Sequence, residues 1–564
     1  MTEITKSITY LNEYKSLKKA VDEGKTPVLT VGLSAIHKAN LAAALGADTA
    51  RPVLVLTDDD NAANRFAADL RGFSEREVVV LPPRELVMAD VAGVSRGYEQ
   101  ARLAALDTLS GACFAVASVQ AAAQRTMPPA LLASSIVTLK AGEEAPLDEL
   151  THRLTDAGYE RCSQVEGMGQ FSVRGGILDI FPPQTEHPYR VEFWDDEIDS
   201  ISTFDVGSQR RLEQCETLRC LPCMEALPSL AKGGAAGLAK AVAALASSRR
   251  KKQHADLQKN LERDAERLRE SGTLPAADKY LPLIYPQMAT AFDYLPENTL
   301  ILIEDTPRLR DAARDFHARI ADDVTALMER GEMPGGMDGY ALDFAGICSI
   351  KRQIVRMDSF LNSIPELAPQ HLENFVANQM NAYGGNLDMA SADIRSYTEQ
   401  GRAVAVVCGS TLRCKNMFDA LTDSGLKVQL SDLLPKGGCV NIMEGTISAG
   451  FEYPDLGLVV MTEGQVLARR KKAKVKRSNR DRVKSFTDLS PGDLVVHEHH
   501  GIGRFIGMER MTVDGSERDF IKIAFAGTDF LYVPATSLDL ISKYIGGGDN
   551  ERVRLSKLGG ADWS

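Results

Sequence analysis

Short runs of β-branched and aliphatic residues alternate with longer stretches of helical period at the start of the chain. Val28 to Val31, Val53 to Thr57, Val78 to Leu81 and Phe114 to Ser118 are apolar at successive positions, as strands buried on both faces of a parallel sheet must be. Between them, segments such as Asn61 to Leu70 repeat apolar residues at helical spacing and supply crossover helices. The pattern predicts a doubly wound α/β domain over residues 1–126.

The period then changes. Phe171-Ser172-Val173, Ile177 to Phe181, Tyr189 to Phe193 and Ile198 to Phe204 alternate apolar and polar residues, with Gly175-Gly176 and Pro182-Pro183 as punctuation. A small antiparallel sheet is expected over 127–214, preceded by a helix at Leu147 to Ala157, as an α+β insertion into the first domain. Ala235 to Ala246 and the charged stretch Arg249 to Arg269 read as helices, and Thr299 to Ile303 as a buried strand, so the first α/β domain is expected to resume over 215–338. A second α/β domain follows over 339–467, with strands at Ala403 to Val407, Cys439 to Met443 and Leu458 to Met461. The almost wholly basic run from Arg469 to Arg477 predicts a linker over 468–487. Beyond it, β-rich sequence with glycine turns fits a five- or six-strand barrel over 488–550, and 551–564 begins a connector.

Composition narrows the function class. A chain of 564 residues needs several cores, and 44% hydrophobic with 25% charged residues is ordinary globular usage, which excludes a largely disordered protein. A net charge of −12 excludes wholesale wrapping of nucleic acid, so any DNA contact is local; Arg469, Arg470, Lys471 and Lys472 are the candidates for one with duplex DNA. No export signal and no run of eighteen apolar residues is present, which predicts a cytoplasmic protein without a membrane partner. The nine cysteines are then expected as thiols. Cys220 and Cys223, with Cys215 nearby, have the spacing of half a zinc site, and His497, His499 and His500 cluster, but neither set is completed by further ligands, so no metal is expected.

The segment with most chemical content is Gly32-Leu33-Ser34-Ala35-Ile36-His37-Lys38-Ala39, where a first strand turns into a helix. A phosphate-binding loop there needs a second glycine for its backbone N–H cradle and a Ser or Thr hydroxyl for magnesium; His37 and Ala39 hold those places and only Lys38 remains. The reading is a degenerate P-loop; an ordinary strand-to-helix turn is the alternative, and both predict no ATPase and no catalytic residue. Leu300 to Asp305 similarly resembles the strand that ends in an acidic pair in motor ATPases, with the acids in inverted order.

Gly158-Tyr159-Glu160, Phe171 to Pro182, Tyr189 to Trp194, Phe204-Asp205 and Ser208-Gln209-Arg210, together with Val116 to Ala121, resemble the UvrA-binding insertion of UvrB and of the transcription-repair coupling factors. The resemblance implies UvrA as a partner, with Arg174, Arg190 and Trp194 as its contacts. Arginine suits bidentate pairing with carboxylates, and a half-exposed aromatic beside it makes an apolar anchor. The alternative is that these side chains brace the sheet. Gly492 to His497, His500 to Phe505 and Leu531 to Pro534 resemble the same family's RNA polymerase-interacting domain, a Tudor-like, CarD-like barrel. That implies an edge strand offered to the RNA polymerase β subunit, with Met508, Arg510, Met511 and Val513 as candidate contacts. Lys557 to Trp563 resembles the sequence that leads into the family's translocase. The reading is therefore a truncated form: an adaptor for transcription-coupled nucleotide excision repair, with no cofactor of its own, ATP and Mg²⁺ belonging to motor domains outside this chain. A UvrB-like ATPase or helicase, or a DNA-binding protein acting through the basic run, are the competing readings.

Overall fold

The computed structural model describes residues 2–89, 96–248, 255–380, 383, 386–433, 437–467, 480–482, 493–497, 501–513, 516–526, 530–534 and 541–544. The chain forms two compact units, Met1–Ala468 and Arg469–Ser564. Among the described residues no helix is long and apolar enough to cross a membrane.

The first unit opens with the four expected strands, β1 (Val28–Val31), β2 (Val53–Thr57), β3 (Val78–Leu81) and β4 (Phe114–Ser118). Their side chains are buried almost without exception, so only helices covering both faces can satisfy them. One cover is the helix Asp60–Phe73, whose buried Ala63, Phe66, Ala67, Leu70 and Phe73 recur at helical spacing; Asp59 caps it by accepting from the Ala62 amide at 2.6 Å.

The chain then leaves this layer for the insertion. It comprises β5 (Val137–Lys140), β6 (Glu160–Arg161), β7 (Gln170–Arg174), β8 (Ile177–Ile180), β9 (Tyr189–Trp194), β10 (Glu197–Phe204), β11 (Arg211–Cys215) and β12 (Thr217–Cys220). Strands β6 to β11 form one six-stranded sheet, in sequence order. Period-two alternation sends Phe171, Leu178, Ile180, Val191 and Ile201 to one face, where Leu150 and Leu154 of the helix Leu147–Asp156 cover them. β12 pairs with β5, so the insertion closes beyond the expected boundary at 214.

After the helices Gly234–Ser248 and Ala255–Ser271 the first sheet resumes with β13 (Leu300–Glu304), β14 (Ile354–Met357) and β15 (His371–Asn374). The seven-stranded order is β15-β1-β14-β13-β2-β4-β3, parallel in every described pair. β14 and β15 lie inside the range expected for the second α/β domain, 339–467, yet they flank β1. The second sheet's own strands begin only with β16 (Asn378–Gln379), followed by β17 (Ala403–Cys408), β18 (Val428–Leu430), β19 (Val440–Glu444), β20 (Phe451–Tyr453) and β21 (Leu458–Thr462), in the order β16-β20-β21-β17-β19-β18. The two layers share a core: Ala405, Val407, Met443, Phe451 and Val460 pack in one cluster with Leu45, Phe66, Phe73 and Val55.

The second unit contains β22 (Arg480–Arg482), β23 (Leu494–His497), β24 (Gly501–Val513), β25 (Ser516–Ala524), β26 (Phe530–Pro534) and β27 (Ile541–Tyr544). They form a six-stranded sheet ordered β22-β27-β23-β24-β25-β26 around Val495, Phe505, Ile521, Ile523, Phe525 and Val533. Two expectations shift. β22 falls in the segment read as a linker but pairs with β27, and no pairing between β22 and β26 closes the expected barrel among the described residues.

Candidate docking faces

The polar face of the insertion follows from its register. Asp179 on β8 lies opposite Ser172 on β7 and Arg190 on β9, so the three side chains share the face away from the core, and Arg174 and Glu192 join them two residues on, Trp194 four. Asp179 is 1% exposed, and its carboxylate accepts from Arg174 Nη2 at 2.6 Å, Arg190 Nε at 2.7 Å and Arg190 Nη2 at 2.8 Å. Such a carboxylate is buried only because charged donors occupy both oxygens.

The two arginines differ. Arg190, with a side chain 16% exposed, lies with its guanidinium carbon 4.7 Å from the Phe204 ring centroid, and two further N–H groups reach Gln209, one on Nη1 to the carbonyl and one on Nη2 to Oε1. Hydrogen bonding to Asp179 holds its guanidinium above the usual arginine range. Arg174 spends only Nη2 and stays 50% exposed. Arg174 is thus open on this face, while Arg190 is engaged within the sheet. Trp194 is 80% exposed and opens the turn to β10, where Asp195 takes φ +57°. The neighbouring turn is tight: Gly175 has φ +62°, a Cβ on Gly176 would stand 3.0 Å from the Phe193 carbonyl oxygen, and the Phe193 amide donates to the Gly176 carbonyl at 2.8 Å. This places the end of β7, with Arg174, at the same end of the sheet as the end of β9, with Trp194, and β8 between them. Next to them Glu192 pairs with Arg211, which lowers its carboxyl below the usual range, and accepts from Ser200 at 3.0 Å. Sequence reading assigned no role to Asp179, Phe204 or Gln209; the alternation in β7 to β9 was the available signal for Asp179.

The Gly32–Ala39 turn lies under the second sheet. Gly32 takes φ +84°, and a Cβ there would come within 2.1 Å of the Phe375 carbonyl oxygen, so the space above this glycine is filled by backbone. His37 is fully buried, its ring centroid 5.2 Å from those of both Phe451 and Tyr453 on β20, and its Nδ1 hydrogen-bonds Ser34 Oγ at 2.8 Å. Ala39 and Lys38 are both buried. Burial raises the Glu304 carboxyl at the end of β13. Asp305, at φ +60°, accepts from Ser359 at 2.7 Å.

On β24, residues Gly501–Arg504 pair with β23 and Arg504–Val513 with β25. From Ile506 to Val513 the opposite edge carries no strand among the described residues. Met508, Arg510, Met511 and Val513 lie on this stretch, opposite Ile521, Asp519, Arg518 and Ser516. Arg469, Arg470, Lys471 and Lys472 lie outside the described residues, as do His499 and His500. Burial pushes the Cys220 and Cys223 thiols up, away from the thiolate that zinc requires, and among the described residues no group of three metal-ligating side chains assembles.

Comparison with known proteins agrees with this division. Residues 137–225 match the UvrB interaction domain and residues 489–545 the CarD-like/TRCF RID domain. The transcription-repair-coupling factor of Bacillus subtilis (strain 168) is 31% identical over 578 residues, covering 100% of this chain and 49% of that protein. Its counterpart in Staphylococcus aureus (strain USA300) is 26% identical over 580 residues with the same coverage. The chain thus spans about half the length of these curated relatives. It matches a UvrB interaction domain and a CarD-like/TRCF RID domain, and along its whole length it is similar to the transcription-repair-coupling factors.

Proposed function

We propose that this chain is an adaptor in transcription-coupled nucleotide excision repair, docking UvrA on the polar face of β7 to β10 and the RNA polymerase β subunit on the open edge of β24. The observation that carries the reading is Trp194. A tryptophan 80% exposed on a regular strand contributes nothing to the sheet's core, and large exposed apolar groups beside a guanidinium are what protein partners anchor on. The edge of β24 that carries no strand among the described residues supports the polymerase half, since main-chain pairing to an added strand gives affinity with little demand on side chains. The first sheet acts as scaffold and hydrolyses no nucleotide; backbone above Gly32 and the aromatic cover of His37 support that assignment. ATP-driven movement on DNA belongs to the family's motor and not to these residues.

Titration of the chain against purified UvrA tests the first half. Trp194→Ala is expected to weaken binding by about tenfold or more, roughly 1.4 kcal/mol, with the melting temperature unchanged because the ring covers no core. Equal affinity for both proteins would return the insertion to a structural role. For the second half, Met511→Lys is expected to reduce capture of the polymerase β subunit while leaving UvrA binding intact; loss of neither would remove β24 as the docking edge.

A further inference from the structure

Asp179 is costly as a device for stability alone. Burying a carboxylate between two guanidiniums carries a desolvation penalty that a well-packed apolar side chain avoids, and replacing buried ion groups by apolar ones is often neutral or stabilising. What the group does achieve is geometric. Arg190 has four of its five N–H donors on Asp179 and Gln209 and lies over Phe204, so it has little left to offer a partner without breaking that arrangement. Arg174 gives Asp179 a single N–H, while its Nε and Nη1 carry no hydrogen bond among the described residues and half the side chain is open. A free arginine loses rotamer entropy when it is fixed; one already held loses less on binding. Two guanidiniums against one carboxylate also leave the group with a positive excess, which suits an acidic counterpart.

We propose that Asp179 is the positioning residue of this face: it holds Arg174 so that the free edge of the guanidinium meets a carboxylate of the repair partner beside Trp194, with Arg190 acting only through Asp179. The inference rests on the reading of this face as the UvrA-docking surface.

A double-mutant cycle in the full chain, titrated against purified UvrA, separates the two. Asp179→Asn is expected to weaken binding by about tenfold in the wild-type background and by less than about twofold in an Arg174→Ala background, because its effect runs through Arg174. A merely structural role would lower affinity equally in both backgrounds, and that result overturns the proposal. Thermal melting shows whether Asp179→Asn folds; should it not, Asp179→Glu keeps the charge but displaces the carboxylate by a methylene, and is expected to bind between wild type and Arg174→Ala. Wild-type affinity for a folded Asp179 variant, with Arg174→Ala and Trp194→Ala both impaired, overturns the positioning role and leaves the docking face intact. If Arg174→Ala and Trp194→Ala bind UvrA as wild type does, the docking reading fails and the proposal with it.

Discussion

Burial pushes the His37 imidazole down to about 4, against an ordinary value near 6.5, because its ring is wedged between Phe451 and Tyr453 with no water to solvate a charge. The unfolded chain therefore binds a proton here at a higher pH than the folded one. The contribution of neutral His37 is complete above about pH 6.5 and is lost as pH falls toward 4, up to about 3 kcal/mol in all. Urea titrations of the wild type and of His37→Phe at pH 7, 5 and 4 are expected to show that the variant loses less stability across that window; parallel pH profiles would remove His37 as the cause. The same residue shows what a sequence can and cannot disclose at this scale. Its position at the turn after β1 was legible, but not what packs on it, because Phe375, Phe451 and Tyr453 arrive from more than three hundred residues away. Arg174 and Trp194 became candidate contacts through the resemblance to the UvrA-binding insertion. That Arg190 would be spent on Asp179 was not legible, since alternation tells which residues share a face and not which of them pair.

At the level of elements, the second sheet is seated on helices of the first by a few specific polar contacts. Asp69, buried on the helix Asp60–Phe73, accepts from the Ser448 amide and hydroxyl, both at 2.7 Å, and Tyr453 donates to Asn40 Oδ1 at 2.8 Å. Gly72 permits the close approach: a Cβ there would stand 2.1 Å from the Thr446 carbonyl oxygen. Asp69→Ala leaves a buried amide and hydroxyl unsatisfied and is expected to cost roughly 1–3 kcal/mol, read by denaturant titration. Gly72→Ala should be at least as damaging, with increased proteolysis between the layers as the check; a stable Gly72→Ala protein would show that the contact yields. Individual strands were readable because a run such as Val53 to Thr57 has one physical solution. Their assignment to sheets was less so. β14 and β15 follow each other in sequence and adjoin the second domain, yet both pair with β1, a choice set by long-range packing that no local pattern encodes. For β22, the basic composition around it masked three residues that pair with β27.

For the molecule as a whole, the insertion and the helices after it separate β4 from β13, which in the finished sheet lies between β2 and β14. Leu300, Ile301, Leu302 and Ile303 supply the partners of Val53, Leu54, Val55 and Leu56. A chain shortened to end before Leu300 is expected to leave that edge of β2 open along four apolar residues, and to appear in the insoluble fraction on expression; recovery of a soluble, cooperatively melting product would count against this account of the layer. The same arrangement sets a timetable on the ribosome. Ile303 is translated almost 250 residues after Leu56, which at about 5–20 residues per second is a wait of roughly 10–50 s. Through that interval the nascent amino-terminal layer holds an aliphatic gap in its middle, while the insertion, whose strands pair with near neighbours, can complete itself first. The surface proposed to meet the repair machinery would then be finished before the scaffold that carries it.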